Sequence, residues 1–279
     1  MQLVHTLQEM QALSQNWQQD KTIGFVPTMG FLHEGHLSLV EASTLQCDTT
    51  IVSIFINPSQ FGANEDLSSY PRNMERDLQL LSSYKVDYVF IPTAEDIYPQ
   101  PYRTWVNVEG ISEVLCGASR PGHFRGVATV VLKLVNLVNP DLMFMGEKDF
   151  QQVAVLKTML SDLNLHCKIV PCPIIREADG LAMSSRNTYL IGETRQQALC
   201  LSKAIHKAKQ LYSQGIRDAK ILLQAASKII VDHNAEIDYI QFVHPETLLP
   251  VENAEADTRM ILAVKVGKTR LIDNAQLRA

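Results

Sequence analysis

The chain has 279 residues, of which 46% are hydrophobic and 20% are charged, and its formal net charge is -5. This is ordinary globular composition, which excludes intrinsic disorder, collagen and low-complexity fibres. The acidic balance disfavours a broad nucleic-acid footprint, because such a footprint needs a basic face, although a local basic pocket remains compatible with it. The length predicts about two domains.

Five cysteines are present, and neither their spacing nor that of the histidines matches a metal site. We expect reduced structural thiols in a cytoplasmic protein rather than disulfides or zinc ligands. The N-terminal residues lack a basic segment followed by an apolar one, so no secretory signal is predicted. No uncharged apolar run reaches the length of about 18 residues that a membrane span needs, so we expect a soluble protein.

The first two-thirds of the chain alternates short apolar runs with helical patterns. Strand-like runs occur at 22–27, 50–56, 86–91, 104–108, 141–145 and 168–175. Helical patterns occur at 36–46, 73–83, 124–138 and 150–163. Nearly continuous apolar runs favour parallel strands that are buried on both faces. The alternation predicts an α/β fold with a doubly wound parallel sheet.

The pattern changes after about residue 176. Two helices are predicted at 195–214 and 218–233, followed by short strands at 237–243, 259–266 and 269–272. Gly267 and Lys268 form a tight hairpin signal between the last two strands. We therefore expect one domain over 1–175 and a smaller α+β domain over 176–279.

The first unusual loop is the segment PTMGFLHEGH, residues 27–36, which follows the first predicted strand and leads into a helix. Backbone N–H groups and the helix dipole favour an anion at a helix N-terminus. His33 and His36, three residues apart, can donate hydrogen bonds to phosphate oxygens there. A surface turn with incidental histidines is the alternative.

The second loop, FINPSQFG at 55–62, places the amides of Asn57 and Gln60 at the end of a strand. Neutral amides orient a polar organic substrate without changing the local charge. Plain turn chemistry is the alternative, because Asn-Pro and Phe-Gly are common turn sequences.

The third loop, MGEKDFQQ at 145–152, also follows a strand. Asp149 and Gln152 fit a helix capping box, which is compatible with a second role in binding. Lys148 is harder to explain structurally, because a cation at a helix start opposes the dipole by up to about 1 kcal/mol. An anionic ligand bound at the same place would make the lysine charge favourable, so we interpret Lys148 as a phosphate ligand.

The fourth loop is AMSSRN at 182–187, which follows a charged turn near the predicted domain junction. Ser184, Ser185 and Arg186 suit a polyphosphate, since a guanidinium gives planar bidentate donors. The position is that of a lid that opens and closes. A capped loop before a helix is the alternative.

Taken together, FVPTMGFLHEGHLSLV, SIFINPSQF, YPRN, RPGHFRGVATVVLKL, MGEKDFQQ and READGLAMSSRN closely resemble the pantoate–β-alanine ligase family of the HIGH-motif nucleotidyl transferase superfamily. The matching segments span roughly 20–190 in order. Composition and hydropathy already argue against nucleic-acid and membrane partners. The resemblance implies a Rossmann-like ATP- and pantoate-binding domain, a C-terminal lid domain and a homodimer. It also implies that ATP, with Mg²⁺, activates pantoate as pantoyl adenylate before β-alanine attacks.

The resemblance also assigns residues. The implied ATP site comprises Met29, His33, Gly35, His36, Gly146, Lys148, Asp149, Ile175, Met183, Ser184, Ser185 and Arg186. The implied pantoate and β-alanine site comprises Gln60, Gln152, Asn57, Pro27 and Thr28. Catalysis is implied for His36, His33, Lys148, Arg186, Ser184 and Ser185. Asp77 is a possible Mg²⁺ contact through water, but the stretch Glu75-Arg76-Asp77 departs from the adjacent carboxylates of some members.

Three other functions share parts of this pattern. A nucleotidylyltransferase retains AMP in its product, whereas a ligase releases it. A non-catalytic nucleotide-binding module binds ATP without releasing pyrophosphate. An aminoacyl-tRNA synthetase fragment is disfavoured by the acidic charge and by the lack of an anticodon-binding domain.

Overall fold

The computed structural model describes residues 1–18, 20–63 and 65–278, which divide into two compact units. The first unit comprises Met1–Glu113, Arg120–Glu147 and Gln152–Pro173. The second comprises Val114–Ser119, Lys148–Gln151 and the chain from Ile174 onward. The main change of unit follows Pro173. That 1–175 and 176–279 are separate domains in the functional sense stays a prediction.

A six-stranded parallel sheet forms the frame of the first unit. In sheet order its strands are Gln2–Val4 (β1), Tyr88–Phe90 (β4), Thr49–Ile54 (β3), Ile23–Thr28 (β2), Leu142–Gly146 (β5) and Lys168–Cys172 (β6). The predicted parallel α/β sheet is confirmed. The strand β2 is buried along nearly its whole length, as a strand covered on both faces requires.

Helices connect these strands along the chain. They are Leu7–Ser14 (α1), Glu34–Gln46 (α2), Met74–Leu81 (α3), Ala94–Ile97 (α4), Cys116–Ser119 (α5), His123–Val138 (α6) and Phe150–Asp162 (α7). The sequence predicts α2, α3, α6 and α7 but neither α1 nor β1. Both early elements are mostly exposed, with only Val4 of β1 and Met10 and Ser14 of α1 buried, so they carry little apolar periodicity.

The strand order places a topological switch point beside β2. From β2 the chain moves outward to β3 and β4 on one side, and it later returns to β5 and β6 on the other. Ligands of such sheets bind beyond the carboxyl ends of the strands at this point. Thr28 and Gly146, the last residues of β2 and β5, therefore lie at the edge where two of the four sequence-predicted loops begin.

The opposite edge of the sheet is fixed by three aspartates, each of which immediately precedes a strand. Asp48 accepts the Thr22 N–H at 2.8 Å, and Asp87 accepts the Thr50 N–H at 2.8 Å. Asp141 accepts the Ile23 N–H at 2.7 Å. These bonds satisfy backbone donors at the amino end of the sheet and help to fix the strand register.

The predicted strand at 104–108 is wrong, because the described segment 101–108 contains no strand. Its backbone is tied to a side chain instead, since the Val106 N–H donates to Thr129 Oγ1 at 3.0 Å. Trp105 packs edge-on against Tyr102, and the Arg125 guanidinium lies 5.0 Å from the Trp105 ring centroid. The β-branched and aromatic residues that predicted a strand are used here in side-chain packing.

The second unit is α+β, as the sequence predicts. Its longer elements are Glu193–Ala198 (α8), Cys200–Ser213 (α9), Ala219–Asp232 (α10), Glu236–Val243 (β7), Arg259–Val266 (β8) and Thr269–Gln276 (β9), with both strand pairs antiparallel. The predicted helix at 195–214 is divided at Leu199. The strand β9 runs four residues past its predicted end, through two polar side chains that are buried, Asp273 and Asn274. Across the described residues no helix has the length and apolarity of a membrane span.

Candidate active site

The loop after β2 begins with a sharp turn at Thr28, Gly30 and Phe31. Thr28 Oγ1 donates to the Ser53 carbonyl at 2.8 Å and accepts the Gly30 N–H at 3.2 Å. Gly30 and Phe31 both have positive φ, at 80° and 50°. A Cβ on Gly30 would lie 3.0 Å from Ile54 Cγ2, so both the backbone conformation and the space favour glycine.

Asp77, at the start of α3, holds the next part of this loop. Its Oδ2 accepts the Phe31 N–H and its Oδ1 accepts the Leu32 N–H, each at 2.7 Å. Two successive N–H groups in this conformation form a small anion-binding concavity, which the carboxylate fills. The neighbouring Arg76 donates to the Leu32 carbonyl at 2.8 Å. Asp77 is only 1% exposed, and both of its carboxylate oxygens hold this loop in place. A contact with Mg²⁺ through water stays a prediction.

We expect Asp77→Asn to weaken both the loop and ATP turnover. The amide replaces one accepting oxygen with a donor that faces a backbone N–H, so unfolding free energy falls by about 2 kcal/mol. Misplacement of the downstream histidines lowers kcat/KM for ATP by about 10-fold. Thermal melting and pyrophosphate-release kinetics measure the two effects.

Asp141→Asn is the matched control, because it removes a similar carboxylate-to-backbone bond at the opposite edge of the sheet. It should lower the melting temperature and leave kcat/KM for ATP near the wild-type value. Equal kinetic losses in the two variants would show that general destabilisation, and not loop position, is responsible.

The two histidines form the N-terminal cap of α2. His33 Nδ1 accepts the Gly35 N–H at 3.1 Å, and His36 Nδ1 accepts the His33 N–H at 3.4 Å. Their ring centroids are 4.0 Å apart. Because each Nδ1 is an acceptor, each neutral ring carries its proton on Nε2. The local fold thus sets both imidazoles in the tautomer whose Nε2–H is a donor, at a helix N-terminus that favours anions.

Asn57 is buried and fully engaged. Its Oδ1 accepts from the Tyr98 hydroxyl at 2.8 Å and from Ser59 Oγ at 2.9 Å. Its Nδ2 donates to the Gly126 carbonyl at 3.2 Å and to Gln60 Oε1 at 3.0 Å. A Cβ on Gly126 would lie 2.4 Å from the Ser59 carbonyl oxygen, so glycine permits this close approach. With both amide hydrogens donated, Asn57 orients its neighbours, and its direct contact with substrate stays a prediction.

The orientation of the Gln60 amide follows from Asn57. Since Asn57 Nδ2 is a donor, the Gln60 atom that it meets must be the accepting Oε1. The Gln60 Nε2 then points toward the Met29 sulfur, 3.3 Å away. Gln60 is half-buried, and the amide hydrogen that does not face Met29 can donate to a carboxylate or hydroxyl oxygen of a ligand.

Within the second unit, the start of α7 is bonded to β9. The Asn274 side chain donates to the Lys148 carbonyl at 2.9 Å. The adjacent Asp273 accepts both Arg176 terminal nitrogens, at 2.7 and 2.9 Å. Both β9 side chains are 1% exposed, so these are buried and fixed contacts. Residues Glu147–Asp149 form a 3-10 turn here that the sequence does not predict.

The ammonium group of Lys148 has a lowered pKa. Burial lowers the pKa of Lys148 below its ordinary value, and the Arg186 cation lowers it further, while Asp149 and Asp273 oppose the shift. Asp149 and Asp273 thus offset part of the repulsion between the two cations. A lysine whose pKa is lowered by burial and by a second cation is typical of a phosphate site, because an anionic ligand stabilises both charges.

The segment that carries Arg186 follows a short hairpin. The Met183 N–H donates to the Ile175 carbonyl at 2.9 Å, and the Glu177 N–H donates to the Leu181 carbonyl at 2.8 Å. Ser184 then caps a 3-10 turn, with its Oγ accepting the Arg186 N–H at 3.2 Å. The hairpin thus fixes the backbone from which Ser184 and Arg186 project.

Ion pairs of Glu177 and Asp179 hold this hairpin to α8. The Arg195 guanidinium pairs with Glu177 at 2.7 Å and with Asp179 at 2.5 Å. Asn187 also donates to Glu177 Oε1 at 2.5 Å. Glu177 therefore links α8 to the turn that contains Ser184–Arg186, a positioning role that the sequence does not predict.

The predicted site residues are divided between the two units. In the first unit are Pro27, Thr28, Met29, His33, Gly35, His36, Asn57, Gln60, Gly146 and Gln152. In the second are Lys148, Asp149, Ile175, Met183, Ser184, Ser185 and Arg186. Gln152 is half-buried and Asp149 is exposed. The sequence does not predict the supporting roles of Asp273 and Asn274, because polar residues also occupy other positions of β9.

No protein cage for a metal is evident. Within residues 1–18, 20–63 and 65–278, no group of three or more His, Cys, Asp or Glu side chains is placed to hold an ion. A Mg²⁺ that arrives with ATP does not require such a cage, because phosphate oxygens and water supply most of its ligands.

The parallel sheet, with its switch point beside β2 and polar loops after its strands, defines a class, that of Rossmann-like α/β enzymes. The family model described as pantoate-beta-alanine ligase matches residues 2–276. Pantothenate synthetase of Caldicellulosiruptor bescii is 51% identical over 281 residues and covers 100% of both chains.

Solved structures agree with this family. Pantothenate synthetase from Thermus thermophilus superposes with a TM-score of 0.95 at 42% identity, covering 100% of both chains. Pantoate-beta-alanine ligase from Francisella tularensis, complexed with beta-gamma ATP and beta-alanine, has a TM-score of 0.85 at 34% identity, covering 99% of this chain and 98% of that one. The chain belongs to the pantoate–beta-alanine ligase family, and it is a pantothenate-forming ligase.

Proposed function

We propose that the chain forms pantothenate through a pantoyl adenylate. In the first step a pantoate carboxylate oxygen attacks the α-phosphorus of ATP, and the bond to the bridging oxygen of pyrophosphate breaks. In the second step the neutral amine of β-alanine attacks the acyl carbon, AMP leaves, and the amine loses a proton. The observation that carries this route is the histidine pair at the N-terminus of α2, where His33 and His36 both present Nε2–H as a donor at a helix end that favours anions.

The proposed roles follow the chemistry of each group. Phosphoryl and nucleotidyl transfer depend mainly on positioning and on charge stabilisation. Lys148 and Arg186 offset the charge that develops on the pyrophosphate. His33 and His36 donate Nε2–H bonds to phosphate oxygens, which requires no proton transfer. Ser184 and Ser185 donate hydrogen bonds to the phosphate that Lys148 and Arg186 bind, and the turn that carries the two serines excludes water from the adenylate.

Magnesium, assembly and location complete the proposal. Mg²⁺ enters as part of the ATP substrate and neutralises phosphate charge. A homodimer is proposed from the family resemblance, and the exposed Trp105, 40% accessible, offers a surface that a second copy can cover. A cytoplasmic location is proposed from the family resemblance and fits the five free thiols.

We expect Gln152→Ala to weaken pantoate binding selectively. The change removes an amide that we propose to contact pantoate, so the Kd for pantoate rises by about 10-fold while the Kd for ATP changes little. Isothermal titration with each ligand separates the two. A variant that loses ATP affinity and keeps pantoate affinity would overturn the assignment.

Product analysis tests the proposed reaction. ATP with pantoate alone should release pyrophosphate in an amount close to one per active site. Addition of β-alanine should then give AMP and pantothenate in equal amounts. A dinucleotide product would identify a nucleotidylyltransferase, and binding of ATP without any pyrophosphate would identify a non-catalytic module.

A further inference from the structure

A buried polar cluster in the first unit lies directly behind the Gln60 backbone and has no role in the reaction proposed above. His123, at the start of α6, is 9% exposed, and its Nδ1 lies 2.8 Å from the Gln60 carbonyl oxygen. Arg120 also reaches this carbonyl, at 3.3 Å, and its Nη1 lies 3.0 Å from His123 Nε2. Two donors thus converge on one backbone oxygen.

The cluster fixes the tautomer of His123. A carbonyl only accepts, so Nδ1 carries the proton. Arginine only donates, so Nε2 must accept from Arg120 and is therefore unprotonated. A doubly protonated ring would set two donors against each other at 3.0 Å and add a second cation. The contacts accordingly require a neutral ring, with the opposite tautomer to His33 and His36.

Glu65 holds the arginine in place. Arg120 makes a bidentate pair with it, with nitrogen–oxygen distances of 2.7 and 2.5 Å. Burial raises the pKa of Glu65, but the hydrogen bonds and charge of Arg120 outweigh that effect and lower the pKa overall. The carboxylate therefore stays ionised at neutral pH, and Glu65, Arg120 and His123 form a connected set that ends at Gln60.

We propose that His123 is a positioning residue that sets pantoate affinity by holding the Gln60 backbone. This inference rests on the proposed function, because it takes Gln60 as a pantoate contact. Asn57 fixes the orientation of the Gln60 side-chain amide, and His123 with Arg120 fixes the backbone from which that side chain extends. Both ends of Gln60 are then preorganised, which lowers the entropic cost of binding.

Two substitutions separate the two hydrogen bonds of the His123 ring. In His123→Asn, the side-chain amide overlays Nδ1 and keeps a donor for the Gln60 carbonyl, but it cannot reach Arg120. In His123→Gln, the longer amide overlays Nε2 and keeps an acceptor for Arg120, but it gives up the bond to Gln60. We expect His123→Gln to raise KM for pantoate by about 10-fold with kcat within about threefold, and His123→Asn to change KM by less than about threefold.

Melting curves are measured for both variants alongside the kinetics. If His123 were only structural, activity in each variant would fall in proportion to its loss of stability. Equal rises in KM, or no rise in either variant, would overturn the inference. A long-range ¹H–¹⁵N spectrum of the imidazoles gives a readout that is independent of activity. It should show His123 protonated at Nδ1 only, and protonation at Nε2 would contradict the inference. This readout does not depend on pyrophosphate release, so it tests the inference even if the proposed reaction fails.

Discussion

Lys148→Ala should lower the rate of pyrophosphate release by about 100-fold or more at saturating ATP, which corresponds to about 2.7 kcal/mol of transition-state stabilisation. The bond from Asn274 to the Lys148 carbonyl fixes the backbone of the turn that precedes α7, from which the ammonium extends. Charge that grows on the leaving pyrophosphate is stabilised most by a cation that needs no reorganisation. Single-turnover measurement with ATP and pantoate isolates this step.

Lys148→Met is the folding control for this prediction. The lowered pKa of Lys148 means that burial and Arg186 disfavour its charged form in the folded protein. At neutral pH the unfolded chain holds that proton more readily, so the charge reduces the stability of the ligand-free protein. The methionine variant should melt at the same or a higher temperature and still show the catalytic loss. Wild-type pyrophosphate release in either variant would refute the role.

His36→Asn should slow adenylation by about 100-fold, and His36→Gln by only about 10-fold. Asparagine keeps an acceptor for the His33 N–H but loses the donor at the Nε2 position, whereas glutamine keeps a donor near that position. Neither amide can act as a proton donor in the acid–base sense. Partial rescue by glutamine therefore distinguishes electrostatic stabilisation from proton transfer.

Preformed pantoyl adenylate supplies the second test for His36. Reaction of the adenylate with β-alanine should be less affected than adenylation in both variants, because the pyrophosphate has already left. Equal losses in the two steps would contradict the assignment to the first step. Equal activity of the asparagine and glutamine variants would contradict the donor argument.

The sequence predicts the sheet and the loops at its ends because that information is local. Continuous apolar runs identify the parallel strands, and loop chemistry is concentrated within a few residues after each one. The failure at 104–108 has the same origin, because Trp105 and Val106 have strand composition but are used in contacts with Tyr102, Arg125 and Thr129. Local composition carries no information on which partner a residue will find.

The supporting residues lie beyond such reasoning because their partners are remote in the chain. Asp77 binds a backbone N–H 46 positions away, His123 a carbonyl 63 positions away, and Asn274 a carbonyl 126 positions away. Each is an ordinary polar residue until tertiary structure brings its partner near. Candidate functional side chains can therefore be proposed from sequence, whereas the residues that orient them require the fold.

The most direct test of the Lys148–Arg186 phosphate site is proton uptake during ATP binding. Because the pKa of Lys148 is lowered in the free protein and raised again beside a triphosphate, binding above the free pKa must take up a proton. Titration calorimetry in two buffers of different ionisation enthalpy, repeated at increasing alkaline pH, measures the number of protons taken up per ATP bound. We expect uptake that grows as pH rises through the free pKa and disappears in Lys148→Met. Equal uptake in both proteins, or none in the wild type, would contradict the site.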